Sequence, residues 1–228
     1  QAGYTNSTGT YNTALGRAAL KLNTTASSNT AVGGDAMFET TTGANNTALG
    51  AYALNKNTSG AGNVAIGKEA MYDTTTGSNS VAVGLDALGD NTTASGNVAI
   101  GRQALRLNTT GQSHVAIGYR AGYAVTTASE FTVIGYDAAL YSTGNSTTAM
   151  GRNAMRGVSG SSTGPNNTAL GESSHRDYTT ASGNVAVGKN SMMLTTTGGN
   201  NVAIGYGTLD RQTTGYSNVA IGRDAGTN

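Results

Sequence analysis

Just before a recurring glycine, a Val or Thr, an alanine and a large aliphatic residue alternate, and the pattern returns at a fixed interval along the chain. The phrase Asn-Val-Ala-Ile-Gly stands unaltered at 63–67, 97–101, 201–205 and 218–222. Its closing glycine recurs from Gly16 through Gly33, Gly50, Gly67 and onward to Gly222, thirteen times in all. The step is 17 except for those ending at Gly151 (16) and Gly171 (20). A fixed period of this size is the mark of a solenoid, in which each repeat buries its apolar face only against its neighbours. Period-two alternation places a short β-strand before each glycine. The expected fold is therefore all-β, a parallel β-solenoid of about thirteen 17-residue rungs. One repeat array is expected over 1–228, with an irregular rung or surface loop at about 151–171, where the only proline (Pro165) and a Gly/Ser run fall.

Slots within the repeat carry distinct expectations. Val64 with Ile66, Val81 with Val83, and Val98 with Ile100 are expected to stack rung on rung inside the coil. The Ala/Gly face is expected to lie outward, open to a further layer or another subunit. Four residues before the glycine, Asn63, Asn97, Asn201 and Asn218 represent a recurring asparagine. Rungs about 4.8 Å apart bring such amides within bonding distance of one another, a structural ladder. After the glycine comes an Ala followed by Leu or Met, then Thr-Thr-Gly within a few residues. That leaves no room for a long helix and predicts a second short strand or an extended corner.

Candidate surface chemistry lies in the Thr-rich part. Thr40 with Thr42, and Thr74 with Thr76, stand two apart and on a strand would share a face. Thr42, Thr76, Thr93 and Thr110 are thus candidate binding residues, a flat ladder able to template water as ice-binding solenoids do. The plainer alternative is β-propensity and hydroxyl bonding between rungs. Tyr119 and Tyr136 are candidates for sugar stacking. Asn-x-Ser/Thr triplets at Asn23, Asn57, Asn91 and Asn108 are candidate glycosylation acceptors, alongside Asn6, Asn45, Asn145 and Asn166.

Composition narrows the function further. Charged residues make up 11% and the net charge is +1, so no nucleic-acid partner is expected. The apolar runs are a few residues long, so no membrane insertion is expected, and the absence of cysteine excludes disulfides. His114 replaces a ladder asparagine and His175 a Leu/Met, neither at metal-ligand spacing. No calcium-binding Gly-Gly-x-Gly-x-Asp pattern, phosphate loop or nucleophile elbow is present. Catalytic residues, metal and cofactor are accordingly expected to be none. The chain opens at Gln1 and is cut within a repeat at both ends, which suggests a processed product or segment, with flanking domains or end-to-end stacking.

The phrase Asn-x-Val-Ala-Ile-Gly and its variants, such as 12–16 and 218–222, resemble the head repeats of trimeric autotransporter adhesins and related phage tail-fibre repeats. The likeness extends over nearly the whole chain. It implies a left-handed parallel β-roll and an extracellular, cell-surface or virion-surface rod that binds matrix or cell-surface glycan. It also implies copies of the same chain as partners, in a homotrimer around the small-residue face. An end-to-end filament is the other self-assembly expected. The 17-residue period departs from the shorter one common in adhesin heads, and no neck, stalk or anchor is seen.

Overall fold

The computed structural model describes residues 1–227. It is a β-solenoid with ~17-residue turns. Each turn contributes one short parallel strand, and no helix occurs among the described residues. The chain forms two compact units, Gln1–His114 and Val115 onward. The first holds β1 (Thr13–Leu15), β2 (Thr30–Val32), β3 (Thr47–Leu49), β4 (Val64–Ile66), β5 (Val81–Val83) and β6 (Val98–Ile100). The second holds β7 (Val115–Ile117), β8 (Thr132–Ile134), β9 (Thr148–Met150), β10 (Thr168–Leu170), β11 (Val185–Val187), β12 (Val202–Ile204) and β13 (Val219–Ile221).

Within each unit every strand pairs in parallel with the next, like position over like. Val64 lies against Val81 and Ile66 against Val83, and the same register continues to Val98 and Ile100. In the second unit the register survives the irregular spacing, with Thr168 against Thr148 and Leu170 against Met150. A slip of one residue would exchange the two faces of every strand, so the alternation itself holds the register.

The strand stops at glycine for a steric reason. Gly33 has φ +139°, and a Cβ there would lie 2.4 Å from the Gly50 carbonyl oxygen one turn on. Only a residue without a side chain lets successive turns approach this closely at the corner. Beyond the glycine, the expected second strand is not formed. The second and fourth residues are left-handed instead, as at Tyr52 (φ 60°) with Leu54 (φ 52°), and Glu69 (φ 60°) with Met71 (φ 55°). Backbone groups still bond from turn to turn: Leu54 N–H donates to Ala70 O at 2.9 Å and Lys56 N–H to Tyr72 O at 3.1 Å. A left-handed conformation costs a non-glycine residue roughly 1–2 kcal/mol, hence about 2–4 kcal/mol for the two. Burying the Leu or Met at the fourth position offsets much of this, about 1.5–3 kcal/mol.

The strand faces are the reverse of the expectation. Ala31, Ala48, Ala65, Ala82 and Ala99 are fully buried, while their large neighbours face outward. Val64, Ile66, Val81, Val83 and Val98 are half-exposed, and Ile100 is 38% exposed. These residues stack as nearest neighbours, but on the outside of the coil. The reason is room. Most turns already place one long side chain inside, as with Leu54, Met71, Leu88 and Leu105, together with a buried alanine one residue earlier. A coil with turns this short has space opposite that side chain for a methyl group only, and tight packing excludes a second large residue.

In the second unit the longest turn, between Gly151 and Gly171, sheds its extra length as an exposed turn at 158–161, in which Ser161 N–H donates to Val158 O at 3.0 Å. A bridge between Ser142 and Ser162 closes the gap beneath it. There the interior differs from the rest. His175 takes the Leu/Met slot, fully buried, and stacks on Tyr178 with ring centroids 4.9 Å apart. The Tyr178 hydroxyl donates to Ser142 Oγ two turns away, past the small Ser162, whose own Oγ–H donates to Tyr178 O at 2.6 Å. Burial pushes the His175 pKa down to about 4, opposed in part by the nearby Thr195 backbone, and neither ring nitrogen reaches hydrogen-bond geometry. Burial likewise raises the Tyr178 pKa, which its bond to Ser142 partly offsets.

Candidate interaction surfaces

The reversal of the strands creates the most distinctive surface. Each of the thirteen strands sends two side chains outward, and all are Val, Ile, Leu, Met or Thr. Within each unit these stack into two adjacent files in register. Several members are well exposed, among them Leu49 (47%), Met150 (42%) and Ile204 (39%). Monomeric proteins seldom leave a contiguous apolar strip without an interrupting charge, and such strips mark interaction sites. The sequence located these residues but not their direction. The available signal was the Leu or Met in the fourth slot after nine of the thirteen glycines, a long side chain that already fills the interior.

The asparagines are interior. Asn63 N–H donates to Asn46 Oδ1 at 2.9 Å, and Asn63 Nδ2 donates to the Gly77 carbonyl at 2.8 Å. Asn97 Nδ2 bonds Gly111 O at 3.1 Å. The linkage thus runs mainly from amide to backbone, rather than amide to amide as expected. Asn201 and Asn218 combine both, the Asn218 amide donating to Asn201 Oδ1 at 3.0 Å.

Asn23, Asn57, Asn91 and Asn108, taken from the sequence as glycosylation acceptors, are at most 1% exposed. Their amides point into the coil and close the local turn, as where Asn57 Nδ2 donates to Gly60 O at 3.0 Å. A glycan on such a nitrogen has no path to solvent in the folded protein. Asn6, Asn45, Asn145 and Asn166 are exposed.

The threonines also separate. Thr40 and Thr74 are buried, whereas Thr42, Thr76, Thr93 and Thr110 are exposed. The expected shared face is absent because this segment is a turn, to which the strand period of two does not apply. The file between them spends its hydroxyls internally. Thr24, Thr41, Thr58, Thr75 and Thr92 each donate to a carbonyl one turn on at 3.0–3.1 Å. The exposed file of this segment is thus Thr42, Thr76, Thr93 and Thr110, with Ser59 taking the slot between the first two.

In the second unit Tyr119 and Tyr136 stack with centroids 5.1 Å apart. Arg120 lies over Tyr119 at 5.0 Å and makes a forked pair with Asp137 at 2.9 and 2.8 Å. That hydrogen bonding raises the Arg120 pKa. Tyr119 is thus packed by both Tyr136 and Arg120, and Tyr136 remains 52% exposed.

Among the described residues no group of three or more His, Cys, Asp and Glu is placed to hold a metal ion. No helix there is long and apolar enough to cross a membrane. No family model, curated protein or solved structure matches the chain.

Proposed function

We propose that this protein is a non-enzymatic structural module of an extracellular, cell-surface or virion-surface fibre, and that it assembles with copies of itself through the outward strand face. One observation carries this reading: the two files of uncharged, mostly aliphatic side chains that every strand presents to solvent. Depletion of charge is the compositional mark of an interface core. The occupant follows from periodicity. A partner covering the strip must offer apolar side chains repeating about every 4.8 Å, the strand spacing. A parallel copy in register does so by construction. The resemblance to adhesin heads and tail fibres implies three copies, so a homotrimer is the assembly proposed. In it the aliphatic face, rather than the small-residue face, is turned inward.

Sedimentation velocity on the full chain tests this. A species of three 22.8 kDa chains is expected. Ile66→Asp with Ile100→Asp should yield a monomer of unchanged circular dichroism, because both side chains lie outside the core. A wild-type monomer at micromolar concentration, or indefinite end-to-end filaments in electron micrographs, sinks the reading.

A further inference from the structure

The first unit carries a second feature, on the outer surface of its corners. A cleft of about 530 Å³ opens there, floored by Gly89. Its origin is a missing side chain. The slot of Gly89 holds Tyr72 one turn before and Arg106 one turn after. Arg106 folds back over the gap, so that a Cβ on Gly89 would lie 2.9 Å from Arg106 Cδ. There Arg106 pairs with Asp90 and approaches Asp86, Nε to Oδ2, at 3.7 Å.

The opposite wall is aromatic. Tyr52 meets Tyr72 edge-on, with centroids 6.3 Å apart. Lys56 covers the Tyr72 ring at 5.0 Å and bonds Asp73 at 2.6 Å, an interaction that raises the lysine pKa. Glu69 is paired with Lys68 at 3.1 Å. Each of the four carboxylates at the cleft is therefore held by a cation. The result is a set of acceptors of small net charge, each within 3.7 Å of a cation, with the tyrosine ring of Tyr52 beside them.

We propose that this cleft binds a neutral saccharide. A pyranose ring has an apolar C–H face suited to Tyr52 and hydroxyl groups that donate to Asp86 and Glu69 while accepting from Arg106. Hydrogen bonds to charged groups are the stronger class. The volume falls within the range of about 300–1,000 Å³ usual for small-ligand sites. A cationic ligand would first have to displace Arg106 or Lys56. The site lies in one unit and needs no second copy, so it stands whether or not the outward strand face self-associates.

The test is ligand-observed saturation-transfer NMR on the full chain, with maltotriose, lactose, diacetylchitobiose and methyl α-mannoside as probes. Transfer to at least one probe is expected. Tyr52→Ala should weaken that binding about tenfold, the effect of losing one aromatic contact. Ala18 occupies the same slot with φ 54°, so the alanine fits the backbone. Gly89→Phe should abolish binding by filling the cleft, and Phe38 shows that the slot accepts this side chain. Absence of transfer to all four probes overturns the proposal, as does binding that persists in folded Gly89→Phe or is indifferent to Tyr52→Ala. Displacement of the sugar by calcium ion or spermidine at equimolar concentration overturns its claim of a neutral ligand.

Discussion

Asn46 and Asn63 occupy the same slot in successive turns, and the side-chain oxygen of the first accepts the backbone N–H of the second at 2.9 Å. Asn63 repeats the arrangement toward Ser80, whose N–H donates to Asn63 Oδ1 at 3.0 Å, while its own amide satisfies the Gly77 carbonyl. One side chain thus answers a buried donor and a buried acceptor at once. This is what allows polar residues to share the interior with the Leu and Met side chains that fill it.

Asn63→Ala should therefore destabilise the protein by about 2–4 kcal/mol, since it leaves two buried backbone groups unpaired. Asn63→Ser should cost less, because Ser80 in the same slot still accepts the next N–H through its Oγ at 3.2 Å. Urea unfolding of the two variants beside wild type measures the difference. Equal losses would show that the acceptor role is unimportant.

Ala65 and Ile66 are chain neighbours with opposite tolerances. Ala65→Leu forces bulk into a filled interior and should cost about 1–3 kcal/mol. Ile66→Ser removes an outward side chain and should change monomer stability by no more than about 1 kcal/mol. Thermal unfolding of both beside wild type decides the point. The reverse order would mean that the strand faces are exchanged.

Glycines of similar appearance should behave differently. Gly67 has φ +127° and a Cβ there would lie 2.6 Å from Gly84 O, so Gly67→Ala should cost more than about 2 kcal/mol. Gly96 has φ +69° with open space around it, and Asn45 and Asn79 fill its slot elsewhere at φ 61° and 56°. Gly96→Asn should be neutral or stabilising by less than about 1 kcal/mol, because it restricts the unfolded chain. Denaturant midpoints for the pair are the measurement.

His175 makes the second unit sensitive to acid. Its folded pKa of about 4 lies below the ordinary 6.5, so the unfolded chain takes up the proton first as pH falls. Stability from the neutral imidazole is complete above pH 6.5 and is lost progressively down to about pH 4, a total of about 3 kcal/mol. His175→Leu, which restores the side chain usual in that slot, should flatten the profile across this window. Unfolding free energies at pH 7, 5.5 and 4 test it, and an unchanged slope in the variant would assign the acid sensitivity elsewhere.

Much of this molecule can be read from its one-dimensional pattern. The constant period and the Val/Thr-Ala-aliphatic alternation placed a strand before Gly67, Gly84 and Gly101, because both are properties of the chain's own repeat. The same reasoning failed where a residue's surroundings decide. Thr40 and Thr42 were assigned one face by a strand rule that does not hold in a turn. Asn57 resembled a surface acceptor until closure of the coil placed it inside. The cleft over Gly89 depends on Tyr72, Arg106 and Asp90 meeting across turns, and a single absent side chain is visible only once those turns are stacked.

What the sequence determined alone was periodicity: where each strand lies and where the glycine that ends it recurs. Tertiary structure alone decided direction. Alternation of Ala65 with Val64 and Ile66 is symmetric between the two sides of a strand, so the pattern names two faces without saying which is inner. Closing the coil in so short a turn breaks that symmetry. The space left opposite Leu54 and Met71 admits an alanine methyl, and the larger residues are turned toward solvent.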